Sequence, residues 1–226
     1  MKYKLSDFLV YLIQHQTKLG RIPPLSILSK ELGISIASLR EQMESARILG
    51  LVEAKPKLGI RQLEYSFSPP VLASITFAAA LKMEYFNQFF DLRNHIEEAY
   101  WYQATSALRP EDIQKLQKFV QSAKAKLNGR PIRIPHEEHR DIHLTIYSRI
   151  NNTYVIGLLE SYWDLYETVG LSTFSDLAYL SSVWDYHEKM VNAISVGDFA
   201  AGFQLLKEHM KLISQRRNQP LPQSFE

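Results

Sequence analysis

Residues 25–50 read LSILSKELGISIASLREQMESARILG, and this stretch decides how the N-terminal part of the chain folds. A short helix is expected over Ser26–Leu32, closed by Gly33. Ser35 then stands where an N-cap belongs, its hydroxyl placed for the free backbone N–H groups of a helix from Ile36 to Leu49, which Gly50 stops. Helix, glycine-containing turn and helix make the helix-turn-helix pattern. Upstream, Leu5, Phe8, Leu9, Leu12 and Ile13 recur at helical spacing and predict a first helix from about Leu5 to Lys18, ended by Gly20 and the Pro23-Pro24 break. Downstream, LVEA and IRQLEY flank KPKLG and read as a hairpin, the wing of a winged helix.

The segment SFSPP at 66–70 reads as a linker, and beyond it only helical periodicity remains. Helices are expected over about 71–88, 89–107, 110–128, 136–150, 153–170, 175–196 and 198–217, with Asn152 capping the one that starts at Thr153. The expected fold is mainly α: a winged helix-turn-helix over 1–65, a linker over 66–70, an all-helical bundle over 71–219 and a tail over 220–226.

The chain has no cysteine, which excludes disulfides, thiolate metal sites and a cysteine nucleophile. No apolar run approaches the roughly 18 residues that a membrane span needs, and the first residues carry charges inside their apolar pattern. A cytoplasmic protein with no membrane partner is expected. Residues 1–65 hold ten Lys/Arg against six Asp/Glu, whereas the rest holds sixteen against eighteen. A basic N-terminal region beside a mildly acidic one suits a polyanion-binding module joined to a separate domain.

The helical part concentrates its histidines. Residues 136–143 read HEEHRDIH, ahead of Ile146 and Ile150, which mark the inward face. His143 and His139 extend that stripe, and His136 lies one turn further out. Asp141 sits about 200° around the helix from His143 and is expected in solvent, with Glu137 and Glu138 peripheral. His187 falls in the stripe Trp184, His187, Val191, Ile194, and His209 falls among Leu205, Leu206, Leu212 and Ile213. Three helices therefore place imidazole on faces that should be buried. Buried imidazole nitrogens need partners, and two readings satisfy them: a divalent ion, Zn²⁺ or Ni²⁺, or a metal-free polar network. His15 and His95 have no comparable setting.

Both halves resemble one family. Pro23, Leu32-Gly33-Ile34-Ser35, Leu39-Arg40-Glu41, Leu49-Gly50-Leu51-Val52 and Gly59 resemble the winged-helix domain of GntR-type bacterial transcription regulators. Leu92-Arg93 to Glu97, His143, Asn152, His187, Gly197-Asp198 and His209 resemble the helical FCD effector domain of the FadR-like branch. The resemblance implies a non-enzymatic, homodimeric regulator of double-stranded operator DNA. It also implies a divalent metal held by an aspartate and three histidines, with a small carboxylate effector completing the coordination. Matched residue by residue, the histidines are His143, His187 and His209, while the aspartate position holds His139. The family's cavity arginine falls on Arg93, which could pair with an effector carboxylate or form an i, i+4 ion pair with Glu97. Asn152 is carried over as an effector contact beside its reading as a cap.

For DNA, the start of the recognition helix offers Ser35, Ala37, Ser38 and Arg40, and the wing offers Lys55, Lys57 and Gly59. Ser26 and Ile36 occupy positions where the family often has arginine, so the operator should differ from the usual family sites. The competing expectation is a metal-dependent hydrolase with Glu138 or Asp141 as base. The outward direction expected for both acids, and the winged helix itself, argue against it.

Overall fold

The computed structural model describes residues 4–15, 21–55, 59–168 and 177–217, in two compact units that divide between Ser74 and Ile75. The first unit contains α1 (Asp7–Gln14), β1 (Arg21–Ile22), α2 (Leu25–Leu32), α3 (Ile36–Ile48), β2 (Val52–Lys55) and β3 (Gly59–Gln62). The three strands form an antiparallel sheet in the order β1-β3-β2, with Ile22 opposite Ile60 and Val52 opposite Gln62. Phe8, Leu12, Leu28, Leu39, Ala46 and Val52 close its core. The expected wing is thus β2 and β3. The strand β1, two residues before a proline, carries no periodicity by which a sequence could announce it.

Local chemistry explains the helix ends. Gly33 closes α2 at φ 67, where only glycine sits without strain. The Ser35 side chain caps α3 by accepting from Ser38 N at 3.1 Å. At the far end of α3, Leu51 N donates to Ala46 O and Gly50 N to Arg47 O, the Schellman arrangement, with Gly50 at φ 70. The first helix is shorter than expected: His15 caps α1, and residues 16–20, including Gly20, lie outside the described residues. Its buried face is also rotated. Tyr11 joins Phe8, Leu9 and Leu12 inside, while Leu5 and Ile13 are exposed.

The expected linker is partly helix. α4 (Ser68–Leu81) begins inside SFSPP, because Pro69 and Pro70 occupy the first turn, where a missing N–H removes no helical hydrogen bond. The division between the units falls within this helix.

The second unit follows with α5 (Met83–Ser106), α6 (Pro110–Leu127), α7 (His136–Tyr147), α8 (Thr153–Thr168), α9 (Leu177–Ser195) and α10 (Phe199–Arg217). The first break falls at Lys82, whose backbone is extended (φ −154), and not near residue 88. No glycine or proline marks it. Of the other breaks, the one expected at Gly170 lies outside the described residues, and the rest stand where punctuation placed them: Pro110 opens α6, Gly197 turns at φ 78, and Asp198 Oδ1 accepts from Ala201 N to cap α10. Trp101 is fully buried where α5 meets α10. Its indole donates to Phe199 O at 2.8 Å, and Gly202 leaves it room, since a Cβ there would lie 2.8 Å from the ring. Among the described residues, no helix is long and apolar enough to cross a membrane.

The glycines give a direct test. A Cβ on Gly33 meets nothing within 4 Å, whereas one on Gly50 would collide with the Pro69 ring. Gly33→Ala should therefore cost about 1 kcal/mol, the price of a left-handed backbone alone. Gly50→Ala should cost clearly more. Urea unfolding followed by far-ultraviolet circular dichroism will rank them, and equal midpoints would contradict the Gly50–Pro69 contact.

Candidate metal centre and nucleic-acid interface

His139 and His143 stand four residues apart on α7 and so share a face. The packing of α7, α9 and α10 brings His187 and His209 to the same point. One ring nitrogen from each of the four lies within 4.8 Å of all the others. His143, His187 and His209 are fully buried. His187 Nε2 and His143 Nε2 lie 3.2 Å apart. Nitrogen ligands at about 2.0–2.1 Å from a tetrahedral ion stand roughly 3.4 Å apart, so only modest side-chain movement separates this set from a coordination shell.

Hydrogen bonds orient two of the four rings. His187 Nδ1–H donates to Val183 O at 2.8 Å, which leaves Nε2 bare and facing the other rings. His143 Nδ1 lies 2.9 Å from Arg93 Nη2 and 3.2 Å from Glu97 Oε2. A guanidinium only donates and a carboxylate only accepts. Two orders follow. Arg93 can donate to a bare Nδ1, which puts the proton on Nε2, facing His187. Alternatively Nδ1–H donates to Glu97, and Nε2 is bare and able to bind a cation. The other rings depend on packing: neither nitrogen of His209 has a hydrogen-bond partner among the described residues, nor does His139 Nε2. A buried unmet polar atom costs about 1–3 kcal/mol. Three such atoms on two neighbouring rings, each neutral ring able to offer one bare nitrogen, fit a divalent ion held by imidazole.

Burial sets the protonation states. It depresses His139, His143 and His209 well below the ordinary histidine range, with the neighbouring imidazoles and Arg93 adding to the effect. Burial also pulls His187 down to about 4, against the opposing pull of its bond to Val183. Glu97 is pushed up to about 7 by burial, which outweighs its Arg93 partner 2.9 Å away. The rings are thus neutral at pH 7, the form that ligates metal.

The neighbouring residues occupy varied places. Arg93, 1% exposed, lies over the Tyr162 and Trp163 rings, 4.9 and 5.1 Å from their centroids, and forms the i, i+4 ion pair with Glu97 while also reaching His143. Glu138 is not peripheral. It is buried, and accepts from Ser122 Oγ and Lys126 Nζ, because α6 packs against that side of α7. Asp141 pairs with Arg140. Asn152 Oδ1 caps α8 by accepting from Tyr154 N and Val155 N, and its amide reaches Tyr100 Oη. Its oxygen serves the cap, one of the two readings of this residue. A pocket opens beside His139, enclosing about 450 Å³ with its open mouth and lined partly by Trp163, Tyr166 and Trp184. Spacing alone did not mark Trp163 as a pocket residue rather than core.

On the first unit, Ala37 and Arg40 are exposed on α3, and Arg40 has no ion-pair partner among the described residues. The hydroxyls of the two serines are partly committed. Ser35 caps the helix, and Ser38 Oγ accepts from Gln42 Nε2 at 3.2 Å. Lys55 pairs with Glu53 at 3.0 Å, and Arg61 with the same carboxylate. Gly59 opens β3 at φ 81, and Lys57 lies outside the described residues. Arg21 and Arg61 face one another across β1 and β3, two exposed cations missed because β1 was not foreseen.

Comparison with known proteins agrees with this architecture. The FCD domain family matches residues 88–212. No curated protein matches the chain. Among solved structures, the fold is similar to that of Streptococcus agalactiae GntR, with a TM-score of 0.62, 15% identity, and coverage of 94% of this chain and 96% of that one. It is also similar to E. coli McbR/YncC, with a TM-score of 0.51, 18% identity, and coverage of 84% and 86%. A putative transcriptional regulator GntR from Rhodococcus sp. RHA1 gives 0.50 at 15% identity, with coverage of 95% and 96%.

The buried rings predict an acid-sensitive apo-protein. For the four histidines, the unfolded chain binds more protons between each depressed folded value and the ordinary 6.5, so stability falls as pH drops through 6.5. Glu97 works the other way. Its contribution is present below 4.5 and lost as pH rises through about 7. Four groups against one leave a slope of at most about 4 kcal/mol per pH unit near pH 5 to 6. The urea midpoint of chelator-treated protein should therefore fall steeply from pH 7 to 5.5, and a flat profile would contradict buried neutral imidazoles.

Proposed function

The chain belongs to the FCD domain family, on the fold of GntR-type regulators, and from that premise we propose a ligand-responsive, DNA-binding transcription regulator whose helical unit holds a divalent metal and senses a small organic acid. The observation that carries the metal reading is the convergence of four imidazoles, three of them fully buried, with ring nitrogens within 4.8 Å of one another. His139, His143, His187 and His209 would hold the ion, Zn²⁺ or Ni²⁺, and a bound ion would supply a Lewis-acidic position for a carboxylate. This chain's own residues do the rest. His143 Nδ1–H, turned to Glu97 Oε2 3.2 Å away, would present a bare Nε2, Val183 O accepts from His187 Nδ1–H to the same effect, and Arg93 adds a buried positive charge that favours an anion. Because His139 stands in place of a carboxylate, the ligand set is neutral, and the site keeps the full charge of its cation.

Ala37 and Arg40 on α3 are the direct candidates for base edges. Ser35 and Ser38 serve the helix start, and Lys55, Lys57 and Gly59 belong to the phosphate-facing wing. One winged helix buries too little surface for tight specific binding, so a homodimer on a two-fold site is the working assembly, within the cytoplasm. Acid binding shifts the equilibrium between DNA-competent and DNA-incompetent states. A hydrolase is disfavoured because Glu138 and Asp141 are tied to Lys126, Ser122 and Arg140.

Two measurements test this. Plasma mass spectrometry on tag-free protein should find about one divalent ion per chain, lost in His143→Ala; none in either, even after incubation with Zn²⁺ or Ni²⁺, would leave the metal-free network as the reading. For DNA, fragments selected from a random duplex pool should bind Arg40→Ala about 5- to 150-fold more weakly, the equivalent of about 1–3 kcal/mol. Unchanged anisotropy titrations would remove Arg40 from the interface.

A further inference from the structure

We infer that the acid this site takes is a monocarboxylate with an apolar body, not a di- or tricarboxylate, and that the Trp163 indole N–H donates to it. The inference rests on the small-acid reading above and adds the class of acid.

Two unmet polar atoms belong to residues lining the pocket beside His139. They are Trp163 Nε1 and His139 Nε2, both buried and without a hydrogen-bond partner among the described residues. The indole only donates, so it needs an acceptor, and a carboxylate oxygen is one. Trp163 is 2% exposed, so no solvent replaces that acceptor. The ring also packs on His139 and His143, with centroids 4.7 and 4.9 Å away, which puts it beside the candidate ligands.

The rest of the lining selects against further charge. Tyr166, Tyr179, Leu180, Val183 and Trp184 form apolar and aromatic walls, and no Lys or Arg is present among the described lining residues. The ionisable side chains left are His136, half-buried with its pKa lowered chiefly by burial, and the exposed carboxylate Glu167. Arg93 is not on this lining and is engaged by Glu97 and His143. A single carboxylate is met by Trp163 and by a cation at the imidazoles. A second would face the aromatic and aliphatic walls, the half-buried His136 or Glu167, with no Lys or Arg among the described lining residues to offset its desolvation. An alkyl or aryl body gains from burial against the same walls.

The test uses the full chain, loaded with Zn²⁺, its zinc counted before and after each titration because citrate chelates the ion. Acetate, butyrate, benzoate, succinate and citrate are titrated by calorimetry. Butyrate or benzoate should bind at least about tenfold tighter than succinate or citrate. Trp163→Phe, which keeps a ring, should weaken the preferred acid by roughly tenfold. Glu167→Gln, at an exposed position, should strengthen succinate severalfold and leave benzoate unchanged. Succinate or citrate binding as tightly as benzoate, with zinc retained, would overturn the inference and leave the metal-and-acid reading standing. Failure to take up zinc would end the metal reading alone if benzoate still bound selectively through Trp163, which supports the inference. If no acid bound either, both would fall.

Discussion

Arg93 and Glu97 stand one turn apart on α5, 1% and 0% exposed, and the helical unit is organised around that buried pair. Removing two charges from water costs several kcal/mol each unless they are paired and hydrogen-bonded. The fold supplies Glu97 and His143 to one side of the guanidinium, Asn94 Oδ1 to another, and the faces of Tyr162 and Trp163. The compensation is incomplete, because neither Glu97 oxygen has an aligned donor and its acidity moves to about 7. Arginine does not deprotonate, so the local field near neutrality is positive. Burial, with that field adding to it, keeps the adjacent imidazoles unprotonated, with lone pairs free. The pair is thus a weak argument for stability and a strong one for a site.

The four histidines differ in how firmly they are held. His187 is fixed within its own helix by Val183 O, and His143 is fixed from behind by α5. Tyr147, one turn beyond His143, strengthens that join by donating to Glu97 O at 2.8 Å. His209 has packing alone, with ring centroids 4.4 Å from His187 and 5.5 Å from His143. Anything bound at the centre therefore adds most to α10, whose imidazole is otherwise unmet. That difference in contacts between bound and free states is what lets a ligand shift a conformational equilibrium.

Much of this was legible from residues with one strong conformational demand. Gly33, Ser35 and Gly50 announced the helix-turn-helix because left-handed backbone and a free helix start admit few side chains. That His139, His143, His187 and His209 lie on inward faces followed from stripes shared with Ile146, Trp184 and Leu205, whereas their meeting at one point depends on how three helices pack. What stayed hidden depended on tertiary partners. The break at Lys82 has no glycine or proline, and β1 is two residues that pair only because β3 is there. SFSPP read as linker because two prolines exclude a helix interior, although they suit its first turn. Glu138 read as peripheral because its buried position depends on Ser122 and Lys126 of another helix. The family resemblance supplied the DNA-binding context, which periodicity alone could not.

The two proton orders at His143 suggest how a neutral four-imidazole set differs from one with a carboxylate. In the first order, Arg93 donates to Nδ1, and the Nε2 proton meets His187; every group in that line is satisfied without a cation. In the second, Nδ1–H turns to Glu97, Nε2 is bare, and the Arg93 donor loses its acceptor. A carboxylate at position 139 would offset a cation within the ligand set. With histidine there, that role falls to Glu97, which is near half-ionised at neutral pH, and to whatever anion enters from outside. The order that exposes the ligand lone pair is also the order that leaves a buried guanidinium donor unmet. On the proposed metal reading, cation and anion would therefore be favoured together, through the proton order at one imidazole.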